Sequence, residues 1–469
     1  MNWHTTQTGS LALGLTALLA VIACLVAFRR SRAHGDWDGT SSLVFLTGIL
    51  GALPTVLFIL VSGRPEQVDT FGNELPNRSD RLDAFGNQLP GGPLSSWAHQ
   101  VSQMATALTV AAALIFFVQR LLRGARINLA PVIAITLWLE MALANGLNGY
   151  QILTFRQLGL LAVLLAASVA RPGRSAFLGA AAVGLVLTIS GGLLALVRPD
   201  HVFHACRQDK CGPFGALYTG VFVNGNIYGE LLALSVPFIW LSLRGRVRAV
   251  LAGYVVLVVI ATDARAAALA AVSCFMLLVL SRPHLPQGDR AEDGVTAGRT
   301  ALAGLVTGCA AVGGFFLPYV AQNYAPLSAR SYAWRLALEQ LSASPILGFG
   351  ADAWQTLHLN GQIPVALSIS PHNQWMDVRY AGGMVGLALF TLLITCILLR
   401  GGRANFVVAC CVMLPVLVSG VLGRPWSFGI SDTQSFLLVA ATLVPVAVRI
   451  RTGEDIGEQG RQRAKRLVP

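Results

Sequence analysis

Charge is what this chain has least of. Only 12% of its 469 residues are Asp, Glu, Lys or Arg, about half the ~25% usual in a soluble domain. With 54% hydrophobic residues and a mean hydropathy of +0.63, an ordinary water-soluble globule is excluded. No Walker loop, zinc motif or metal–carboxylate cluster is present, so the sequence assigns no metal and no cofactor. The first apolar run ends in Arg29-Arg30 without a cleavage site, which makes it a span and not a removed signal peptide. No inverted repeat of the whole chain, of the kind many secondary transporters carry, is visible. Redox or metal spacing is missing among the eight cysteines. Most lie in apolar runs as small core residues. Cys206 and Cys211 share one polar loop, and an oxidising compartment would let them pair locally.

Long apolar runs are abundant instead. They fall near 10–28, 42–62, 98–118, 127–147, 157–170, 176–197, 216–243, 247–262, 264–281, 301–320, 377–399, 404–422 and 434–449. Crossing a bilayer as a helix takes roughly 20 apolar residues. The expectation is therefore an all-α polytopic integral membrane protein with about 12–13 transmembrane helices. Residues 1–200 read as N-terminal membrane helices, 201–449 as a second membrane core that includes the long loop 321–376, and 450–469 as a basic tail.

The net charge of +12 would suggest nucleic acid in a soluble protein. Here the basic residues sit in short clusters between apolar runs, so no nucleic-acid partner is expected. FRRSR (28–32), RLLRGAR (120–126), RPGR (171–174), RGRVR (244–248), 281–299, RGGR (400–403) and the tail alternate with longer segments at 63–97, 145–156, 198–215, Asp263, 321–376 and 423–433. The positive-inside rule then places the N-terminus outside and the C-terminus inside. The first outside loop repeats DTFGNELP (69–76) as DAFGNQLP (83–90), which reads as a duplicated turn-rich surface loop.

Four places carry candidate chemistry. His372 lies in Ser370-Pro371-His372-Asn373, just before a span. Pro371 suits a first helical turn and Ser370 an N-cap. The positive helix end favours neutral imidazole, which can take a proton from a hydroxyl; a polar interfacial histidine is the plainer alternative. Arg265, in Thr262-Asp263-Ala264-Arg265 between apolar stretches, could clamp phosphate oxygens or simply pair with Asp263. Arg330 and Arg335 flank Trp334, and the spacing of Trp334, Leu338 and Leu341 suggests an amphipathic helix on the membrane surface. Its arginines would meet a head group or diphosphate, or merely anchor the helix. Asn224 and Asn226 interrupt an apolar run and could bind sugar hydroxyls or bond between helices. Arg207 and Lys210 add positive charge in the preceding loop.

These elements, in this order, resemble the O-antigen ligase and O-antigen polymerase family of bacterial membrane glycosyltransferases. The likeness runs over roughly 200–400. Arg330-x3-Trp334 leads to Pro345-Ile-Leu-Gly348-Phe-Gly350; His372-Asn373 follows, then Gly382-Gly383-x2-Gly386. Thr262-Asp-Ala-Arg265-Ala is similar to the family's Ser/Thr-x-Ser-Arg-small element. Gly220-Val-Phe-Val-Asn224-Gly-Asn226 is similar to its Gly-x-Phe-x-Asn-Pro-Asn element. Departures are Leu217 where an arginine is usual, Gly225 for Pro and Ala264 for a hydroxyl residue. The resemblance implies a GT-C-like fold with one large periplasmic loop, set in the bacterial inner membrane among membrane lipids. It also implies an undecaprenyl-diphosphate-linked glycan donor and inverting, metal-independent transfer to a lipid A-core or glycan hydroxyl. By resemblance His372 is the base. Arg265 holds the donor diphosphate, with Arg330 as helper. Arg207 or Lys210 could substitute for the arginine missing at Leu217, Arg335 is a further diphosphate candidate on the same helix as Arg330, and Asn224, Asn226 and Asn373 are the candidate substrate contacts. Ligase and polymerase are both compatible with these residues. A transporter or flippase of lipid-linked substrates, or a non-catalytic assembly subunit, is the rival class.

Overall fold

The computed structural model describes residues 3–62, 93–153, 155–206, 210–222, 224–283, 285, 295–324, 327–363, 370–428 and 433–444. Arg207, the repeat at 69–90 and the basic tail lie outside them. The described residues are mostly helical, with almost no strand. In chain order the helices are α1 (Trp3–Ala33), α2 (Gly39–Ser62), α3 (Pro93–Leu122), α4 (Leu129–Leu147), α5 (Phe155–Ser168) and α6 (Arg174–Val197). There follow α7 (Pro199–Val202), α8 (Gly225–Ser242), α9 (Val247–Ala261), α10 (Arg265–Ser281), α11 (Ala297–Val320) and α12 (Ser328–Leu341). The last are α13 (Ala353–Leu359), α14 (Gln374–Leu399), α15 (Arg403–Ser419) and α16 (Thr433–Val439). This is an all-α polytopic membrane protein.

Every apolar run of the sequence contains a helix, but their lengths differ. Among the described residues, seven helices are long and apolar enough to cross a membrane: α1, α2, α3, α4, α6, α11 and α14. The others are shorter, and two of them, α8 and α15, are buried nearly all round. A helix without a polar face belongs inside a large fold. In contrast α1, α3 and α11 expose rows of large apolar side chains such as Leu15, Leu19, Ile115 and Phe316, as lipid-facing helices do.

The run at 216–243 is not one span. Leu217–Tyr218 pairs antiparallel with Phe203–His204 as a two-stranded ribbon, and Cys206 and Cys211 are joined in the loop between them. The helix begins only at Gly225, because the Asn224 side chain accepts the Asn226 amide and caps it there. Hydropathy alone could not see that cap.

The two ends of the bundle have different chemistry. At one end Asp36 bridges Arg174, at 3.4 Å, and Arg244, at 3.2 Å. Nearby, Arg400 donates to Asn128, which itself donates to the carbonyls of Ala167 and Ala170. Arg120 donates to the carbonyl of Val169. The basic loops of the sequence thus converge. The opposite end carries the starts of α8, α10 and α14 and the loop 321–373.

That loop is locked to α14 through a break in the helix. Gly383 sits at φ 57°, ψ −149°, a region open essentially to glycine. The Phe349 and Gly350 amides donate to the carbonyls of Tyr380 and Ala381, while Met384 and Val385 donate to Pro345 and Ile346. Backbone freed by the break is therefore paired within the protein, as membrane depth demands. Gly348 is part of the same joint: a Cβ there would lie 2.5 Å from the Gly383 nitrogen, and its own φ is +66°. The surface-helix expectation for α12 is corrected at this point. Trp334, Ala337 and Leu341 are buried against Met376, Tyr380 and Trp354 in a second core, so the apolar face of α12 meets α14 and not lipid.

Two outcomes are expected. Gly383→Ala should destabilise the detergent-solubilised protein by more than about 1 kcal/mol, read from thermal unfolding; an unchanged midpoint would rule out the joint as described. Single cysteines at Asn360→Cys and Arg123→Cys, in a background without native thiols, should react with a membrane-impermeant reagent from opposite faces. Labelling from one face would refute the two-ended arrangement.

Candidate functional site

The start of α14 is the best-defined part of the polar end. Asn373, not Ser370, is the N-cap: its Oδ1 accepts the Met376 amide at 2.9 Å. Its Nδ2 donates to the carbonyls of Gly314, at 2.9 Å, and Val421, at 3.0 Å. Asn373 is completely buried, and both amide hydrogens and the oxygen are engaged. The residue ties α11, α14 and the end of α15 together. Sequence alone could not distinguish this from a sugar contact.

His372 precedes the cap and so lies outside the first turn. It is one of few non-glycine residues with positive φ, at 54°, and its amide donates to the buried Ser370 hydroxyl at 3.1 Å. Such backbone costs of order 1–3 kcal/mol and persists where the surroundings impose it. Here Asn373 on one side and Ser370 on the other fix the turn, and the half-buried imidazole is carried at the mouth of the helix.

Residues that the sequence reading did not single out surround this turn. Gln374 exchanges hydrogen bonds with Trp426, donating to its carbonyl at 2.9 Å and accepting its amide at 2.8 Å. This straps the segment after α15 onto α14. Arg424, in that strap, pairs with Asp377 at 3.5 Å, and both are largely buried. Asp352 in the long loop accepts from Asn145 of α4 at 3.0 Å and Gln157 of α5 at 3.1 Å. Burial raises its carboxyl above the usual range, opposed by those two donors and by the charge of Arg424. The available signals were faint: an acid in a first turn, and an arginine between Gly423 and Pro425.

The two arginines of α12 part company. Arg330 lies on the same helical face as Trp334, Ala337 and Leu341. Its Nε is buried without a hydrogen-bond partner, and among the described residues it has no ion pair. Burial lowers its pKa, the direction expected of a cation held away from water. Arg335 points outward, 3.9 Å from Glu339 and over the Tyr332 ring, in the manner of a solvated surface pair.

A second polar group forms where α8 and α10 begin. Lys210 donates to Asn226 Oδ1 at 2.7 Å, two residues from the Asn224 cap. Asp263 turns the chain with φ 53°; the Thr262 hydroxyl accepts the Ala264 amide at 3.2 Å, and the exposed Arg265 opens α10. α10 packs on α8 closely: a Cβ on Gly229 would lie 2.7 Å from the Thr262 hydroxyl. Glu230, a turn after Asn226, links the two groups. It accepts from Gln434 at 3.2 Å and packs against Gly423, next to Arg424. Lys210, Asn224, Asn226, Arg265, Arg330 and His372 therefore share one end of the bundle. Cationic groups and a histidine at the same end of the bundle are suited to an anionic, hydroxyl-bearing ligand.

The fold and site thus define a polytopic helical membrane protein with a polar, cation-rich mouth. Over 217 residues the chain is 30% identical to a protein named O-antigen ligase from Pseudomonas aeruginosa, covering 45% of this chain and 47% of that relative. The chain spans about half the length of the curated relative it matches. No family model matches it. No solved structure matches it either.

Asn373→Ala should lower stability by about 2–3 kcal/mol, combining a lost cap with two lost hydrogen bonds, whereas Arg335→Gln should leave the unfolding midpoint unchanged. Equal midpoints for the two variants would show that Asn373 is not structural.

Proposed function

We propose that this chain is an O-antigen ligase-like membrane glycosyltransferase, working on the periplasmic face of a bacterial inner membrane. Its donor is a glycan linked to undecaprenyl diphosphate, and its acceptor a lipid A-core or glycan hydroxyl. The observation that carries this reading is the placement of His372, Arg265 and Arg330 at one end of the bundle, with Arg330 held half-buried and unpaired. The partial likeness to an O-antigen ligase supports it independently.

The chemistry follows from the residue types. His372 accepts the acceptor's hydroxyl proton as the oxygen attacks the sugar's anomeric carbon. Attack from the face opposite the leaving group inverts that carbon, and the bond to the diphosphate oxygen breaks with its electron pair. Charge growing on the diphosphate is stabilised by Arg265, with Arg330 as the second cation in a site of reduced water access. Lys210 and the Asn226 side chain, already bonded to each other, stand at the edge where sugar hydroxyls or phosphate would enter.

Transfer from a lipid-linked glycan donor, in cells lacking the native enzyme, tests this directly. His372→Ala should lose roughly 10²–10⁴-fold in rate at normal membrane levels, and Arg265→Ala should also be severely impaired. Full transfer by His372→Ala would remove the base from the mechanism. If even the wild type transfers nothing while donor accumulates on one side of the membrane, transport becomes the function. The wild-type product separates ligase from polymerase.

A further inference from the structure

One cation at the polar end belongs to neither group described above. Arg379 lies in the second turn of α14. Its Nη1 donates to the Tyr319 hydroxyl of α11, and its guanidinium stands 5.4 Å from the centre of the same ring. Its Nε is buried and donates to nothing. A phenol and a ring face orient a guanidinium without neutralising it. The acid two residues earlier, Asp377, faces away and is paired with Arg424. A full positive charge is therefore held in place inside a helix that is long enough to cross the membrane, where ionisable residues normally serve a ligand or partner.

Its depth and neighbours indicate the ligand class. Tyr319 is next to last in α11, and Arg379 is the sixth residue of α14, about 9 Å along it. Both therefore sit near the level where apolar spans give way to head groups. Beside Tyr319, α11 turns outward an apolar surface, with Phe316 54% and Val320 78% exposed. Arg330 shares the helical face of Trp334, Ala337 and Leu341, which pack into the second core that Tyr319 also touches, and its Nε likewise lacks an acceptor. The combination is a lipid-facing wall with two guanidiniums at its rim, and a planar guanidinium fork matches phosphate oxygens in pairs.

We propose that Arg379, oriented by Tyr319 and joined by Arg330, binds the phosphate of a membrane lipid at the rim where α11, α12 and α14 meet. That phosphate can come from a resident phospholipid or from a polyprenyl-diphosphate carrier. Arg330 is shared with the proposed transfer site, so within this site only Arg379 and Tyr319 are varied and binding is read without turnover, which keeps failure of this site distinguishable from failure of glycan transfer.

The purified full chain in detergent would be titrated with dioctanoyl phosphatidate and with dioctanoylglycerol, which lacks the phosphate, following bound lipid by native mass spectrometry. Wild type should bind the phosphatidate in preference. Arg379→Gln should weaken it about tenfold; Arg379→Lys should recover part of the loss, and Arg123→Gln at the opposite end should change nothing. Where Arg379→Gln does not fold, Tyr319→Phe provides the test, with binding several-fold weaker because the guanidinium loses its hold. Displacement of phosphatidate by undecaprenyl diphosphate assigns the site to the carrier; its persistence assigns the site to phospholipid. Equal phosphatidate affinity in wild type and either variant, or equal binding of dioctanoylglycerol, overturns the proposal.

Discussion

The joint between α14 and residues 345–350 is the constraint on which the polar end depends. A span that begins at Gln374 is interrupted at Gly383, and the amides and carbonyls released there are paired with the loop in both directions. In a lipid environment an unpaired peptide group costs several kcal/mol, so the loop and the break require each other. The long segment between α11 and α14 is consequently held at the rim of the bundle, and α12 packs its Trp334 face onto the first turns of α14. His372 inherits its position from this arrangement.

Around that joint, buried polar groups are handled in two ways. Some are fully satisfied and structural: Asn373, Gln374 and the Asp377–Arg424 pair link α11, α14 and the end of α15. Breaking one partner of such a set leaves an uncompensated buried group, which is the costly event. Others, Arg330 and Arg379 at the polar end among them, keep a buried donor without an acceptor. At the polar end the bonded amides of Asn373 and Gln374 contrast with the Nε groups of Arg330 and Arg379, which have no acceptor.

The helix lengths carry a related message. α8 and α15 are short and buried, whereas the exposed helices α1, α3 and α11 are long. A central helix surrounded by protein need not reach across the whole hydrocarbon layer, so its end can sit beneath a polar recess. The start of α8, with Asn224, Asn226 and bonded Lys210, is such an end, and α10 brings Arg265 beside it.

The sequence by itself determined the class of the molecule. Its scarcity of charge and repeated apolar runs are global quantities that no local packing can reverse. It also marked His372, Arg265 and Arg330, because a few ionisable residues stand out in so apolar a chain. The tertiary structure alone decided which polar residues are scaffold. Asn373 joins α11, α14 and the end of α15 through carbonyls far away in sequence, and Asn224 caps α8; neither role is visible in the order of residues. The same holds for the face of α12: its periodicity is identical whether lipid or α14 lies opposite, and only the break at Gly383 brought α14 there. Arg424, Asp352 and Arg379 stayed unmarked for that reason too, each defined by a partner from 47 to more than 200 residues away or by the lack of one.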